Sequence, residues 1–282
     1  MICYDLHSHS IASDGSLSPS DLVSRAIEQG VDVLALTDHD GTEGIIEARA
    51  AAKNTLLSLI SGVEVSATWG GTTIHIVGLN IDIDNLKLQQ GLKSMRDIRV
   101  GRAEEIARKL EKAGIPGAFE GAQKYASEIM LGRVHFAKFL VEHGHAKSIA
   151  DVFKRYLVRN KPGYVAGHWA DLADAVNWIT SAGGQAIIAH PARYKMTATK
   201  LRRLITDFKT AGGIGFEVVS GRQQHPEEIK KLARLANDAE LFASCGSDFH
   251  SPENNWVELG RLSQMPESCT PIWTSFTEQL SL

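Results

Sequence analysis

Short apolar runs alternate along this chain with longer stretches in which apolar residues recur at helical spacing. Seven of these runs are typical of buried strands, because each is short, apolar and bounded by turn-forming residues. They span residues 2–6, 31–36, 57–65, 73–79, 186–189, 214–219 and 241–245. Helical patterns lie between most of them. This alternation predicts an α/β fold built on a mostly parallel sheet or barrel.

The helical stretches carry start and stop signals. In the first one, Ser18 suits the N-cap, Pro19 suits the first helical position, and Gly30 suits the C-terminal end. Further helices are predicted near residues 44–54, 170–182, 199–211 and 226–238.

The alternation stops in the middle of the sequence. Between about residues 85 and 158 the patterns are helical, notably over 102–113, 133–143 and 149–157, and no run is typical of a strand. We therefore expect a barrel formed by residues 1–84 and 159–282. Residues 85–158 would form an all-helical insertion that could act as a substrate lid.

Bulk properties exclude several classes of protein. A net charge of −3 gives no overall attraction for long nucleic acids, although a local basic patch remains open. Three scattered cysteines cannot build a disulfide framework. The N-terminus lacks the pattern of a signal peptide. The apolar runs are too short to span a bilayer. We expect a cytoplasmic protein without membrane association, and no protein partner is predicted.

Histidines and acidic residues gather at the C-terminal ends of most predicted strands. In an extended chain, residues two apart point to the same side, so His7 and His9 can bind one ion together. In parallel α/β barrels these strand ends meet at one face, where active sites lie. The candidates are His7, His9, Asp14, His39, Glu64, His75, His190, Asp248 and His250.

Each of these residues alone has a simpler interpretation. A single histidine at a strand end is usually a hydrogen-bonded structural residue. Asp14 could form a turn beside Gly15, and Glu64 could form a salt bridge with a basic side chain. Together they would be costly to bury without a metal. Imidazole combined with carboxylate suits Zn, Mn or Fe rather than Ca, so the pattern predicts a transition-metal site.

The chain resembles the polymerase and histidinol phosphatase (PHP) family of the amidohydrolase superfamily, in motifs that span nearly its whole length. They are His7-Ser8-His9, Thr37-Asp38-His39, Gly62-Val63-Glu64, Ile74-His75-Ile76, Ala189-His190-Pro191 and Ser247-Asp248-Phe249-His250. The resemblance implies a distorted (β/α)7 barrel with two or three divalent cations at its mouth. Mn²⁺ is the favoured ion, with Zn²⁺ and Fe²⁺ as alternatives.

The resemblance also implies a distribution of ligands. One ion would take His7, His9, Glu64 and Asp248. A second would share Glu64 and take His75 and His190, and a third would take Asp14, His39 and His250. Many family members have a histidine at the position of Asp14, and an aspartate there is similar to the nucleotide-phosphatase subgroup.

That subgroup is also similar in having a helical insertion with the stretch Gly132-Arg133-Val134-His135. The similarity to this subgroup implies a metal-dependent phosphoester hydrolase. Its reaction would be removal of the 3′-phosphate of nucleoside 3′,5′-bisphosphates, or degradation of short 5′-phosphorylated RNA from the 5′ end. Short DNA oligonucleotides are a further candidate substrate. The candidate substrate-binding residues are Arg133, His135, Lys161, Tyr164 and Arg193.

Several roles stay open at this point. A hydroxide bridging two ions would attack phosphorus, with Asp38 and Asp40 as candidate proton shuttles. Glu217 could orient a metal ligand or form a structural salt bridge. Two other functions are carried as alternatives: a small-metabolite phosphatase, such as one acting on histidinol phosphate, and a non-catalytic regulatory PHP module. The complete set of candidate ligands argues against the second.

Overall fold

Seven strands curve into a nearly closed barrel in the computed structural model, which describes residues 2–126, 131–221, 224–253 and 257–276. Around the barrel the strands follow the order β1-β2-β3-β4-β6-β7-β8. Their bounds are Tyr4–Asp5 (β1), Val33–Leu36 (β2), Ser58–Trp69 (β3), Thr72–Leu79 (β4), Gln185–Ile188 (β6), Gly215–Ser220 (β7) and Phe242–Gly246 (β8). A two-residue strand, β5 (Ala170–Asp171), pairs with β3 outside this order. The predicted α/β barrel is therefore confirmed.

The barrel closes where the chain leaves β1 and β8. The amide of Leu6 donates to the carbonyl of Cys245 at 3.0 Å, and the amide of Asp248 donates to the carbonyl of His7 at 2.8 Å. A third bond runs from the amide of His9 to the carbonyl of Phe249 at 2.9 Å. This closure places the first histidine motif of the chain, at His7 and His9, beside the last one, at Asp248 and His250.

One strand runs against the others. β4 is antiparallel to both β3 and β6, whereas the other neighbouring pairs along the barrel order are parallel. β3 and β4 form a hairpin through Gly70 and Gly71, whose φ angles of 51° and 71° suit the two-residue turn. β3 extends four residues beyond its predicted end at 65, so Glu64 lies inside the strand rather than at its end.

Helices cover the outside of the barrel, and their apolar faces pack on the sheet. They are α1 (Pro19–Glu28), α2 (Gly44–Ala52), α7 (Leu172–Ser181), α8 (Ala198–Thr210) and α9 (Pro226–Asp238), with 3₁₀ turns at Pro191–Tyr194 and Ile272–Ser275. The predicted cap of α1 is confirmed, because the Ser18 hydroxyl accepts a hydrogen bond from the amide of Asp21 at 3.0 Å. The helix predicted from residue 170 begins two residues later, since Ala170 and Asp171 pair with β3.

All regular structure in the described part of 85–158 is helical. It comprises α3 (Leu86–Lys112), α4 (Ala118–Gln123), α5 (Arg133–Glu142) and α6 (Ile149–Val152), followed by a π-helical turn at Phe153–Leu157. The second half of α3 packs with α5 and α6 in a separate apolar cluster that includes Ile106, Phe136 and Leu157. Its first half instead contributes Leu88 and Leu92 to the main core of the barrel. None of the described helices is long and apolar enough to cross a membrane.

Candidate metal centre

Nine histidine and acidic side chains from separate strands meet at the mouth of the barrel. His7, His9 and Asp14 follow β1, His39 follows β2, His190 follows β6, and Asp248 and His250 follow β8. Glu64 and His75 come from within β3 and β4. Because β4 runs in the opposite direction, His75 reaches the mouth from the first half of its strand. The direction of β4 explains why its histidine does not sit at the C-terminal end.

Glu64 lies at the centre of this group and is fully buried. Its Oε2 atom is 3.3 Å from Nε2 of both His7 and His9, and 2.9 Å from Nδ1 of His39. Its Oε1 atom is 2.9 Å from His75 Nδ1 and 3.0 Å from His190 Nε2. One carboxylate therefore touches five imidazole rings.

Three subsets bring their ligand atoms within 4.8 Å of one another, as a bound cation would require. They are His7, His9, Glu64 and Asp248; His9, Asp14, His39 and His250; and His39, Glu64 and His75. The grouping shares several residues between neighbouring subsets, as is usual for multinuclear metal sites.

The polar atoms of the cluster lack ordinary partners. Within the described part of the chain, eight buried side-chain nitrogen or oxygen atoms make no hydrogen bond, and six of them belong to the cluster. These six are His7 Nε2, His9 Nε2, Asp14 Oδ1, His39 Nδ1, Glu64 Oε2 and His190 Nδ1. Buried polar atoms left unpaired are costly. His190 turns its Nε2 rather than Nδ1 to Glu64, and the other five atoms belong to residues of the three subsets. Divalent cations between those five would satisfy both the imidazole lone pairs and the carboxylate oxygens, so the residues fit metal ions.

The electrostatics of the cluster favour cations as well. Burial alone would raise the pKa of Glu64, but the surrounding His39, His75 and His7 outweigh it and hold that pKa well below its usual range. The pKa of Asp248 is lowered in the same way, with Arg193 as the largest opposing influence. Burial lowers the pKa of His9, yet the facing carboxylates raise it to about 10. The ionised carboxylates therefore attract positive charge into this pocket, whether as protons on the imidazoles or as metal ions.

Glu217 orients two histidines of the cluster. Its Oε1 lies 3.2 Å from His7 Nδ1, and its other oxygen accepts a short hydrogen bond from the amide of His190. The bond to Nδ1 leaves His7 Nε2 directed at Glu64 and Asp248. Of the two roles left open by the sequence, the contacts favour orientation of a metal ligand.

Asp38 and Asp40 both form hydrogen bonds with residues outside the cluster of candidate ligands. The Asp38 carboxylate accepts hydrogen bonds from the amide and hydroxyl of Ser10, each at 2.7 Å, and from the hydroxyl of Ser13 at 2.6 Å. Asp40 accepts from the amide of Ser66 at 2.8 Å and from Arg99 Nε at 2.6 Å. Neither carboxylate belongs to the three subsets. These contacts favour positioning of the mouth loops over the proton shuttling suggested by the sequence.

Backbone strain concentrates at the same mouth. Asp40, His190 and Asp248 have φ angles of 47°, 28° and 53°, which side chains other than glycine rarely adopt. The surrounding hydrogen bonds hold these conformations, as is common where a site must be kept in a fixed geometry.

A cavity of about 160 Å³ opens between the cluster and the helical insertion. Cluster residues Asp14, His39 and His75 form its floor, and cationic and aromatic side chains line the rest. The lining comprises Arg99, Arg102, Arg133, Phe153, Tyr164 and Trp169, together with Ser66, Thr73, Gly132, Val134 and Gly167.

Two arginines in this cavity have no acidic partner among the described residues. Arg102 donates to the carbonyl of Val165 at 3.1 and 3.2 Å, and the guanidinium of Arg133 lies 5.4 Å from the centre of the Phe153 ring. Burial, followed by repulsion from Arg133 and Arg99, lowers the pKa of Arg102 to about 10. Such an uncompensated pair of cations is suited to bind an anion.

The other predicted substrate residues are placed differently. His135 is buried, and its Nδ1 accepts a hydrogen bond from the amide of Gly132 at 3.0 Å. Burial lowers the pKa of His135 to about 4, so this ring is neutral and carries its proton on Nε2. Lys161 is exposed and does not line the cavity. Arg193 forms an ion pair with Asp248, with about half of its side chain exposed.

Sequence reasoning missed Arg99, Arg102 and Trp169. The guanidinium groups of both arginines lie over the Trp169 ring, at 4.8 and 5.3 Å from its centre. A signal was present, since Arg96, Arg99 and Arg102 recur every third residue on one face of α3.

The profile of the PHP domain matches residues 5–184 of this chain. The chain belongs to the PHP domain family.

Relatives of this PHP chain include two named enzymes. The 3′,5′-nucleoside bisphosphate phosphatase of Chromobacterium violaceum is 47% identical over 270 residues, covering 95% of this chain and 94% of the relative. The 5′-3′ exoribonuclease Rnm of Escherichia coli K12 is 48% identical over 274 residues, covering 96% and 93%. A solved structure of an amidohydrolase from Chromobacterium violaceum, with bound sulfate and no metal, superimposes with a TM-score of 0.91 at 47% identity, covering 96% of this chain and 94% of that one.

The ligand sets implied by the PHP resemblance can be compared with the geometry. The first set and the subset of His7, His9, Glu64 and Asp248 are the same residues. The third set recurs with His9 added. In the second, His39 takes the place of His190, which touches Glu64 but does not join the subset. The role of His190 as a ligand stays a prediction.

Proposed function

We propose that this protein is a metal-dependent phosphoester hydrolase that removes the 3′-phosphate of nucleoside 3′,5′-bisphosphates and degrades short 5′-phosphorylated RNA from the 5′ end. The names of relatives 47% and 48% identical over nearly the whole chain support this choice. The observation that carries it is structural: Arg102 and Arg133, without acidic partners among the described residues, face the histidine cluster across one small cavity.

The proposed substrate has two phosphate groups, and the site has two places for them. One phosphate would lie at the cluster, held there through cations on the three ligand subsets. When bound, such ions would neutralise phosphoryl oxygens and lower the pKa of a nearby water. The imidazole and carboxylate donors suit transition metals, and we propose Mn²⁺ as the ion.

The second phosphate would lie under the insertion, between Arg102 and Arg133. A guanidinium donates paired hydrogen bonds to phosphate oxygens, and burial strengthens the attraction. Trp169 and Tyr164 line the same cavity and offer flat surfaces to the nucleoside that joins the two phosphates. His135 follows the cavity residues Arg133 and Val134 but is buried and does not line the cavity itself. In this proposal the insertion is the substrate lid.

Two alternatives fit the site less well. Histidinol phosphate carries an ammonium group, which the arginines of the cavity would repel rather than bind. A regulatory module that had lost catalysis should lack ligands, whereas all nine candidate side chains meet at the mouth. Three free cysteines are typical of a reducing compartment, and we propose the cytoplasm as its location.

The experiment compares Arg133→Ala and Arg102→Ala with wild type on a nucleoside 3′,5′-bisphosphate and the matching 3′-monophosphate. Losing a charged hydrogen-bond donor should lower kcat/KM on the bisphosphate by roughly ten- to a hundredfold and leave the monophosphate nearly unchanged. Arg108→Ala is the matched control, because Arg108 is an exposed arginine on α3, the helix that carries Arg102, and is paired with Glu105. Equal losses on both substrates, or none, would contradict the proposal.

A further inference from the structure

A second positively charged surface lies between α8 and α9 on the outside of the barrel. We call it the α8–α9 groove. It encloses about 330 Å³ and is lined by Arg202, Lys230, Lys231 and Arg234, with Glu227, Asp238, Ala198 and Leu235. Its four basic side chains outnumber its two acidic ones, which contrasts with the net charge of −3 for the whole chain.

The basic side chains of the groove are largely uncompensated. Lys230 pairs with Glu227 at 2.7 Å. Arg202, Lys231 and Arg234 form no ion pair with any carboxylate among the residues that the structure describes. Exposed helices often carry solvated charges, but three unpaired cations that share one groove create a local attraction for a polyanion.

One end of this groove lies on the metal side of the barrel, and its other end reaches Asp238, the last residue of α9. Helices α8 and α9 follow β6 and β7 and run back along them, so both helices begin at the mouth. Arg202 is the fifth residue of α8, and Lys230 and Arg234 are the fifth and ninth of α9. The loop that leads from His190 into α8 adds exposed Lys195, and its Arg193 contacts Asp248.

The groove also lies across the barrel from the lid cavity. That cavity contacts His39 after β2, Ser66 in β3, and Thr73 and His75 in β4. In the order β1-β2-β3-β4-β6-β7-β8, the strand between α8 and α9 is β7, which stands opposite β2 and β3. A chain with one end in the lid cavity and its next phosphate on the cluster would continue toward β7.

We infer that the α8–α9 groove binds single-stranded RNA on the 3′ side of the scissile phosphodiester. This inference rests on the proposed function, which puts the 5′-phosphate under the lid and the first internucleotide linkage on the cluster. Lysine and arginine at the groove bind phosphates without reading sequence. No aromatic side chain lines it among the described residues, so recognition there is ionic rather than by base stacking.

The test uses the triple variant Arg202→Gln/Lys231→Gln/Arg234→Gln with a 5′-phosphorylated RNA octamer and a 3′,5′-bisphosphate. We expect kcat/KM on the octamer to fall about tenfold or more, with the bisphosphate unchanged. Binding of the octamer should also depend less on salt concentration. Each lost phosphate contact removes about 0.7 from the slope of the logarithm of the binding constant against the logarithm of salt concentration for a single strand. A control variant, Lys53→Gln/Lys112→Gln/Lys147→Gln, removes the same charge from exposed lysines outside the groove.

Wild-type turnover of the octamer by the groove variant, or an equal loss in the control, would overturn the inference. A binding measurement keeps it separate from the proposed function. Fluorescence anisotropy of metal-loaded protein would use a labelled 5′-phosphorylated octamer with a non-hydrolysable first linkage. If wild type hydrolyses neither substrate, the proposed function fails. The groove is then judged by binding alone, where weaker affinity of the groove variant than of the control supports it and equal affinity contradicts it.

Discussion

At the scale of single residues, Glu64 decides how the cluster is organised. It is fully buried and belongs to two of the three ligand subsets, sharing one with His7, His9 and Asp248 and another with His39 and His75. A carboxylate can serve two cations at once because it has two oxygens and a negative charge. An amide of the same shape offers one oxygen and no charge.

We expect Glu64→Gln to remove about two equivalents of bound metal and to abolish phosphate release, since both subsets lose their shared anion. His250→Ala should remove about one equivalent, because His250 belongs to one subset. Elemental analysis of protein purified from manganese-supplemented growth, with phosphate release measured on the same samples, tests both. Similar and mild effects of the two substitutions would show that Glu64 is not shared.

Much of the site could be predicted from residues alone, because its ligands come in pairs and follow apolar runs. His7 and His9 are spaced two apart at the end of a strand, and both join one ligand subset as that spacing predicts. Asp248 and His250 have the same spacing, but the backbone at Asp248 is left-handed and the two side chains join different subsets. The contacts that support the site could not be predicted in this way. Asp40 and Arg99 are 59 residues apart, and neither position carries a local signal of the pairing.

At the scale of elements, α3 joins the barrel to the helical insertion. Its first half packs in the barrel core, its second half packs in the insertion, and Arg99 lies between the two. The Arg99 guanidinium donates to Asp40 at 2.6 Å and to the Ser66 hydroxyl at 2.7 Å, next to the mouth residue His39. The sequence predicted helical structure from about residue 85 onward and singled out 102–113, since a helix that faces two cores shows no single apolar stripe along its whole length.

We expect Arg99→Ala to destabilise the protein by about 3–5 kcal/mol, because it leaves the buried Asp40 carboxylate without its cation. The double variant Asp40→Ala/Arg99→Ala should cost less than the sum of the single variants, since no unpaired charge remains. Denaturant unfolding of the four proteins in the cycle measures the coupling. The exposed pair Lys93–Asp97 on the same helix is the control, with an expected coupling below about 1 kcal/mol. Additive losses at Asp40 and Arg99 would contradict a structural link.

At the scale of the whole molecule, the contacts that close the barrel also bring the residues of the cluster together. The hydrogen bonds that join β1 to β8 involve His7, His9 and Asp248 themselves. The sequence predicted the seven barrel strands and the face on which they meet. It did not predict that β4 runs in the opposite direction, because an apolar run carries no information on strand direction.

Gly246 tests this dependence, since it lies at the end of β8 directly against His7. A Cβ atom at Gly246 would lie 2.2 Å from the His7 Cβ and 2.8 Å from the His7 amide nitrogen, and backbone cannot move aside cheaply. We expect Gly246→Ala to destabilise the fold by about 1–3 kcal/mol, as overpacking typically does. The substitution should also lower metal content, because the segment after β1 that carries His7 is pushed away from Asp248.

The matched control is Gly101→Ala in α3, where a Cβ atom would meet nothing within 4 Å. An alanine there should stabilise the helix by about 0.5–1 kcal/mol and leave metal content unchanged. Thermal unfolding and elemental analysis of the two variants measure both quantities side by side. If Gly246→Ala lowers the Tm but keeps its metal, the closure of β1 on β8 supports the fold without setting the position of His7. If it keeps both, β8 tolerates a side chain at this point and the close packing against His7 has no consequence for the site.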